Sequence, residues 1–259
     1  MAEPGLARRR AGIFVIVGTL ALAAAAPLLL RAASDITSDN QRLADAATVF
    51  REIMNTPDRA IPAEILDGAS CIAIIPGAKK AALGFGANYG KGVALCHNAG
   101  QSAWGPPLFI TIGGGSWGLQ IGVQSTDVVM VFPRQSQLHS LLSDKFRLGA
   151  EASAAAGPVG RHVGAATDIK LNSEILTYGR SKGAFAGISI SGAVVQPDDT
   201  GNHAMYGTHY DSTEILQGRG VKVPAAAQAL IRELNNTTET RPPNMPGRAP
   251  ARQPAKRKP

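Results

Sequence analysis

The strings most able to do chemistry lie in one glycine-rich stretch. Gly114-x-Ser116-x-Gly118 has the spacing of a nucleophile elbow. Asp127 or Asp168, then His203 or His209, would supply an acid and a base in the chain order of an α/β-hydrolase. That chemistry needs a strand, a sharp turn and a helix, so that the serine hydroxyl stands exposed beside backbone amides. After Ser116 come Leu119, Ile121 and Val123, alternating with Gln120, Gly122 and Gln124. This two-residue period predicts a strand where a helix is required. An exported serine hydrolase using Ser116 stands only as an alternative reading. Gly113-x-Gly115-x-x-Gly118 matches a dinucleotide fingerprint as a string and fails for the same reason, since the pyrophosphate needs a helix N-terminus. His97, His139, His162, His203 and His209 show no zinc-type spacing. The sequence therefore predicts no catalytic residues, no metal and no cofactor.

The cations have a different distribution. Lys79-Lys80 follow Pro76-Gly77, Lys91 lies in a Tyr-Gly-Lys-Gly string, and Arg180 and Lys182 flank Ser181 between Gly179 and Gly183. Cations beside glycine-rich backbone can meet phosphate groups with amides assisting. The competing reading is solvated loop charge.

These residues must be positioned by a core, and 259 residues are enough for one. Leu43, Ala46, Ala47, Phe50, Ile53 and Met54 recur at helical spacing, predicting a helix over 39–55 capped by Asp39 and ended by Pro57. A short helix follows Pro62 and stops at Gly68. From Ser70 the pattern changes to short runs rich in glycine and β-branched residues. Strands are predicted at 71–75, 82–89, 92–97, 108–112, 117–124 and 128–132, with turns at Pro76-Gly77, Tyr89–Gly92 and Gly113–Gly115. A helical segment is expected at 135–143, strands at 151–156, 164–170, 175–180 and 184–195, and a last helix over 225–234. The fold class is α+β: a glycine-rich, mainly antiparallel β domain with flanking N- and C-terminal helices.

The ends differ from this middle. Arg8-Arg9-Arg10 precede a 20-residue run, Ala11–Leu30, without charge. That is long enough to span a bilayer as a helix and longer than the usual core of a cleaved signal. Residues 1–34 are expected to be a signal peptide or a membrane anchor, placing residues 35–235 in the cell envelope, either exported to the periplasm or held at the inner membrane. Residues 236–259 form a basic, proline-rich tail predicted to be disordered. The formal charge of +7 divides as +3 in residues 1–31 and +5 in the tail, leaving −1 between them. A nucleic-acid-binding domain carries its excess on the folded surface, so nucleic acid is not an expected partner. The tail's cations suit an acidic envelope partner.

Cys71 and Cys96 leave two readings open. They could bond to each other in an oxidising compartment, or lie as small apolar residues at the ends of neighbouring strands.

Three blocks carry a resemblance. Ile74–Gly92, with its Pro-Gly-Ala-Lys-Lys start, resembles the opening of SYLF domains. So does Gly118–Val131, with its Gly-Leu-Gln-Ile-Gly core and Asp127 before an apolar strand. The third block is Tyr178–Gly192, followed by Asn202 and Tyr206-Gly207. They occur in the family's order and cover roughly residues 40–234. The resemblance, to the bacterial exported type, implies a non-enzymatic module that binds phosphoinositides or other anionic phospholipids. By the same carry-over, Lys79, Lys80, Arg180 and Lys182 become candidate head-group contacts. The helix over 39–55 is read as packing its apolar face into the core, since that face includes small alanines and the polar face mixes signs.

Overall fold

The computed structural model describes residues 36–56, 60–97, 103–143, 154–157, 175–181, 184–187 and 193–239. The apolar run at 11–30, the expected strand at 164–170 and the tail beyond 239 lie outside these. Among the described residues no helix is long and apolar enough to cross a membrane.

The first helix, α1, occupies residues 36–54. Then come α2 (Ala63–Asp67), β1 (Cys71–Cys96), β2 (Leu108–Phe132), α3 (Gln135–Ser143), β3 (Ala154–Ala156), β4 (Ile175–Ser181), β5 (Ala184–Gly187), β6 (Val194–Pro197), α4 (Asp199–Tyr206), α5 (Ser212–Gln217), a 3-10 turn (Ala225–Ala227) and α6 (Gln228–Glu239). The six strands form one sheet with β1, β2, β4 and β3 in order; β5 joins β4 and β6 joins β2. Among the described residues only the β3–β4 pair is parallel. The predicted α+β class, mainly antiparallel with helices at both ends, is the observed one.

The centre of the sheet is unusual in its path. β1 is a 26-residue strand whose two ends meet. Cys71 and Cys96 are joined by a disulfide with their Cα atoms 4.0 Å apart. The His97 amide donates to the Ser70 carbonyl at 2.9 Å. A Cβ on Gly92 would stand 2.3 Å from the Ile74 carbonyl oxygen. β1 therefore doubles back on itself, and its outer flanks are both covered by β2, through Cys71↔Phe132 at one end and Ala94↔Leu108 at the other.

This corrects three predicted turns. Tyr89–Gly92 and Gly113–Gly115 lie within paired strand, with Tyr89↔Gly113 and Gly92↔Ile110 in register. Gly92 serves close backbone approach, a use of glycine that sequence does not distinguish from a turn. Pro76-Gly77 is a bulge between the Ile75 and Ala78 pairs, with Gly77 at φ 56. Of the strand expected over 184–195, residues 184–187 form β5 and 194–195 lie in β6, while 188–192 lie outside the described residues. Asp39 does not cap α1, which begins earlier; it is buried inside the helix beside Arg42.

Residues 71–75 are all fully buried because both faces of the sheet are covered. Ile72, Ile74, Val93, Leu95, Phe109, Val129 and Val131 face one core, closed by Leu43, Phe50 and Ile53 of α1, Leu66 of α2 and Leu230 and Leu234 of α6. The alternate residues Ala73, Ile75, Ala94, Ile110, Met130 and Phe132 face a second core, closed by Leu138 of α3 and by Ile215 and Leu216 of α5. Helix, sheet and helix thus form three layers. The apolar face of α1 packs in the first core, as expected from its composition.

Two helices lacked any sequence prediction. α4 is N-capped by Asp198, and α5 carries a capping box in which Asp211 and Glu214 satisfy each other's amides. The Asp-x-x-Glu string was the available signal.

Candidate functional site

Two charged clusters fix α1 across the sheet, and a glycine-rich arm of paired β1 and β2 runs on from one of them. The first cluster centres on Arg180. Strand β4 pairs with β2 so that Arg180 faces Asp127 in register. The Arg180 Nε and Nη2 groups donate to Asp127 Oδ2 at 3.1 and 2.8 Å. Its Nη1 pairs with Glu52 of α1. The other Asp127 oxygen accepts from the Gly77 amide at 2.8 Å. The positive φ of Gly77 aims that amide, so the bulge, two strands and a helix converge on one carboxylate. Burial pulls the Arg180 guanidinium pKa down, but hydrogen bonds to Asp127 and Glu52 outweigh it and raise it overall.

The second cluster sits near the other end of α1. Arg42 pairs with Asp39 at 2.8 Å and Asp198 at 2.9 Å, and stacks 5.1 Å above the Phe109 ring. Lys91 of β1 reaches the same Asp198 oxygen at 2.9 Å. Asp198 also opens α4, and its amide donates to the Phe109 carbonyl at 2.9 Å. Asn202 clamps that residue from the next turn, accepting from the Phe109 amide at 2.8 Å and donating to its carbonyl at 2.9 Å. Burial pushes the Asp198 carboxyl up, but the hydrogen bonds from Lys91 and Arg42 prevail and lower its pKa. A carboxyl depressed on folding contributes stability above its unfolded pKa near 4, and loses it as pH falls through the folded value. Asp198→Asn is therefore expected to shrink the difference in urea midpoint between pH 7 and pH 3. An unchanged difference would show that Asp198 does not carry this acid sensitivity.

The arm is the part of β1 and β2 beyond the bulge. Lys79 is exposed, and its ammonium meets the Ser125 hydroxyl at 3.1 Å. Ala78 packs against the second core. Side chains alternate along a strand, so Lys79 lies on the α1 face and Lys80 on the opposite face. The sequence-adjacent pair thus straddles the ribbon. Arg180 shares the Lys79 face but is already held by two carboxylates. Lys182 lies outside the described residues. Lys91 is committed to Asp198.

Ser116 lies inside β2 opposite Gly86, so no strand–turn–helix elbow forms around it. His203 and His209 instead line a polar cleft of about 460 Å³ with Asp199, Asp211 and Glu214, beside α4 and α5. Among the described residues no three His, Cys, Asp or Glu side chains converge as metal ligands.

Sequence reasoning missed the partners rather than the cations. Asp127 stood in a recognised block, but nothing in its spacing tied it to Arg180, 53 residues on, or to the polar face of α1. Arg42 and Asp198 are 156 residues apart. Such pairs become visible only when the sheet order is known.

The described residues thus form a sheet faced by helices, one of them latched to it by two charged clusters. Residues 113–237 match the Ysc84 family, described as "Las17-binding protein actin regulator". The chain therefore carries a domain of the Ysc84, or SYLF, family. It is 34% identical to Protein YSC84 of Saccharomyces cerevisiae over 182 residues, 69% of this chain and 38% of that protein. It is 30% identical to LAS seventeen-binding protein 3 of the same species over 194 residues, 74% of this chain and 42% of that protein. Identity to SH3 domain-containing YSC84-like protein 1 of Rattus norvegicus is 29% over 209 residues, 80% of this chain and 61% of that protein. The chain thus spans about two fifths to three fifths of these relatives. Of these, LAS seventeen-binding protein 3 is named for binding, as is the family.

Proposed function

We propose that this domain binds the surface of anionic phospholipid membranes in the cell envelope and does so without catalysis. The observation that carries the reading is the placement of Lys79 and Lys80, outside both ion-pair clusters, at the root of a charge-free ribbon. Head-group phosphates would meet these two cations. Arg180 has a positioning role, since it holds the bulge that presents them. Residues 11–30 would bring the domain to the membrane, as a cleaved export signal or as a retained anchor.

Both cores and both charged clusters are built from residues 39–234. A chain of residues 32–240 therefore keeps every contact described above, while lacking the apolar run and the basic tail. Each lysine near an anionic surface contributes about 1 kcal/mol, so the Lys79→Ala/Lys80→Ala double variant should bind anionic vesicles roughly thirtyfold more weakly. Raising salt should weaken the parent toward the variant. Equal binding of the two proteins would remove the lysines from the site.

A second reading is that of a membrane-tethered adaptor whose tail holds an acidic envelope partner. The six cations of residues 241–259 favour it. Deleting 241–259, which spares α6, would abolish that association if the tail carries it; retention would rule the tail out.

A further inference from the structure

β1 between Lys80 and Lys91 reads Ala-Ala-Leu-Gly-Phe-Gly-Ala-Asn-Tyr-Gly. β2 from Gly113 to Thr126 reads Gly-Gly-Gly-Ser-Trp-Gly-Leu-Gln-Ile-Gly-Val-Gln-Ser-Thr. Neither run has a charged residue. The register pairs them as Ala82↔Gly122, Leu83↔Ile121, Phe85↔Trp117 and Gly86↔Ser116, with a shift between Leu83 and Phe85. β1's two ends are bonded, so this shift lies at its point of reversal. Four large apolar residues, Leu83, Phe85, Trp117 and Ile121, are thereby adjacent in register at the end of the arm. At about 3.3 Å per residue the reversal stands roughly 13 Å beyond Lys80. Sheet ribbons that face water are guarded by charges, lysine above all. Here the lysines stop at the root.

Each of these features fits a bilayer interface. Interfacial elements sit roughly 5–10 Å into the head-group and acyl boundary, within the reach of this arm. Tryptophan and tyrosine favour that depth, and Tyr89, on the arm, is 54% exposed. The ladder between β1 and β2 pairs backbone groups that hydrocarbon would leave unsatisfied. α1 is a poor competitor for this role. Leu43, Ala46, Ala47, Phe50 and Ile53 are already buried in the first core, and both charged clusters would have to break to free them.

The geometry points to the arm, and not α1, as the element that enters the membrane: its reversal around Leu83–Phe85 and Trp117–Ile121 lodges in the interface of an anionic bilayer, with Lys79 and Lys80 at the level of the phosphates. This rests on the lipid-binding reading and specifies its mode.

The chain has two tryptophans, and Trp104 is buried. In residues 32–240 carrying Trp104→Phe, Trp117 is the sole indole. Vesicles of phosphatidylcholine and phosphatidylglycerol, with and without bromine on the upper acyl chain, provide the probe. Binding is followed by sedimentation. Insertion predicts a blue shift of Trp117 emission on binding and a loss of emission with brominated lipid. Phe85→Ser/Leu119→Ser should weaken binding roughly tenfold. If those changes disturb folding, the Trp117 signal still decides the question. Sedimentation with vesicles without blue shift or quenching overturns arm insertion and leaves lipid binding standing. Absence of sedimentation overturns both. A blue shift without vesicles, accompanied by oligomers, makes the arm a self-association surface and overturns the proposal.

Discussion

Replacing Arg42 by methionine is expected to lower the free energy of unfolding by about 3–5 kcal/mol, the usual cost of removing one member of a buried charge pair. Arg42 is 9% exposed, and it holds Asp39 and Asp198, both of them buried, against α1 and the start of α4. Methionine keeps much of the stem's packing over Phe109, so the loss reports the charge. Lys91 would stay beside Asp198 but is itself half in water, where its attraction is screened. Adding Asp198→Asn to Arg42→Met should recover part of the loss, because the second change removes a carboxylate that the first deprived of its buried cation. Urea unfolding of the two singles and the double measures this. Strictly additive losses would show that the two side chains do not act as a pair.

The second large effect belongs to the disulfide. Cys71 and Cys96 are 25 residues apart and close the loop that contains the β1 half of the arm. Cross-linking a loop of that length is worth about 3 kcal/mol in the chain-entropy account. For a domain of this size that corresponds to a fall in Tm of about 6–12 °C in Cys71→Ala/Cys96→Ala. Both sulfurs are fully buried at the centre of the sheet. The native protein should therefore keep the bond in mild reductant and lose it when reductant and denaturant are combined. A reduced protein with the parent's melting temperature would deny the bond any such role. A disulfide also suits the export expected from residues 1–34, since such bonds persist in oxidising compartments.

The residues themselves disclosed much of this fold. The helical spacing of Leu43, Phe50 and Ile53 gave α1, and the run 71–75 marked a strand, though not its cover on both faces. The alternation after Gly118 gave a strand where a helix would have been needed for a nucleophile elbow. The path of β1 was not legible. Its glycines at 90 and 92 look like turn residues, yet they permit two backbones to touch, and sequence alone does not say which backbone comes near. The candidate site was legible to the same extent. Glycine-rich surroundings singled out Lys79, Lys80, Arg180 and Lys182. The ion pairs that set Arg180 apart from the two lysines depend on residues brought together by sheet order. The resemblance in three blocks pointed to the family, and the match over 113–237 agrees with it. Neither names a ligand.

The most direct test of the account is sedimentation of residues 32–240 with vesicles of phosphatidylcholine alone and of phosphatidylcholine mixed with phosphatidylglycerol. This protein has neither the apolar N-terminal run nor the basic tail, so any binding belongs to the domain. The account predicts sedimentation with the anionic vesicles, weakened by salt, and little with the neutral ones. Equal sedimentation with both, or none with either, would contradict it.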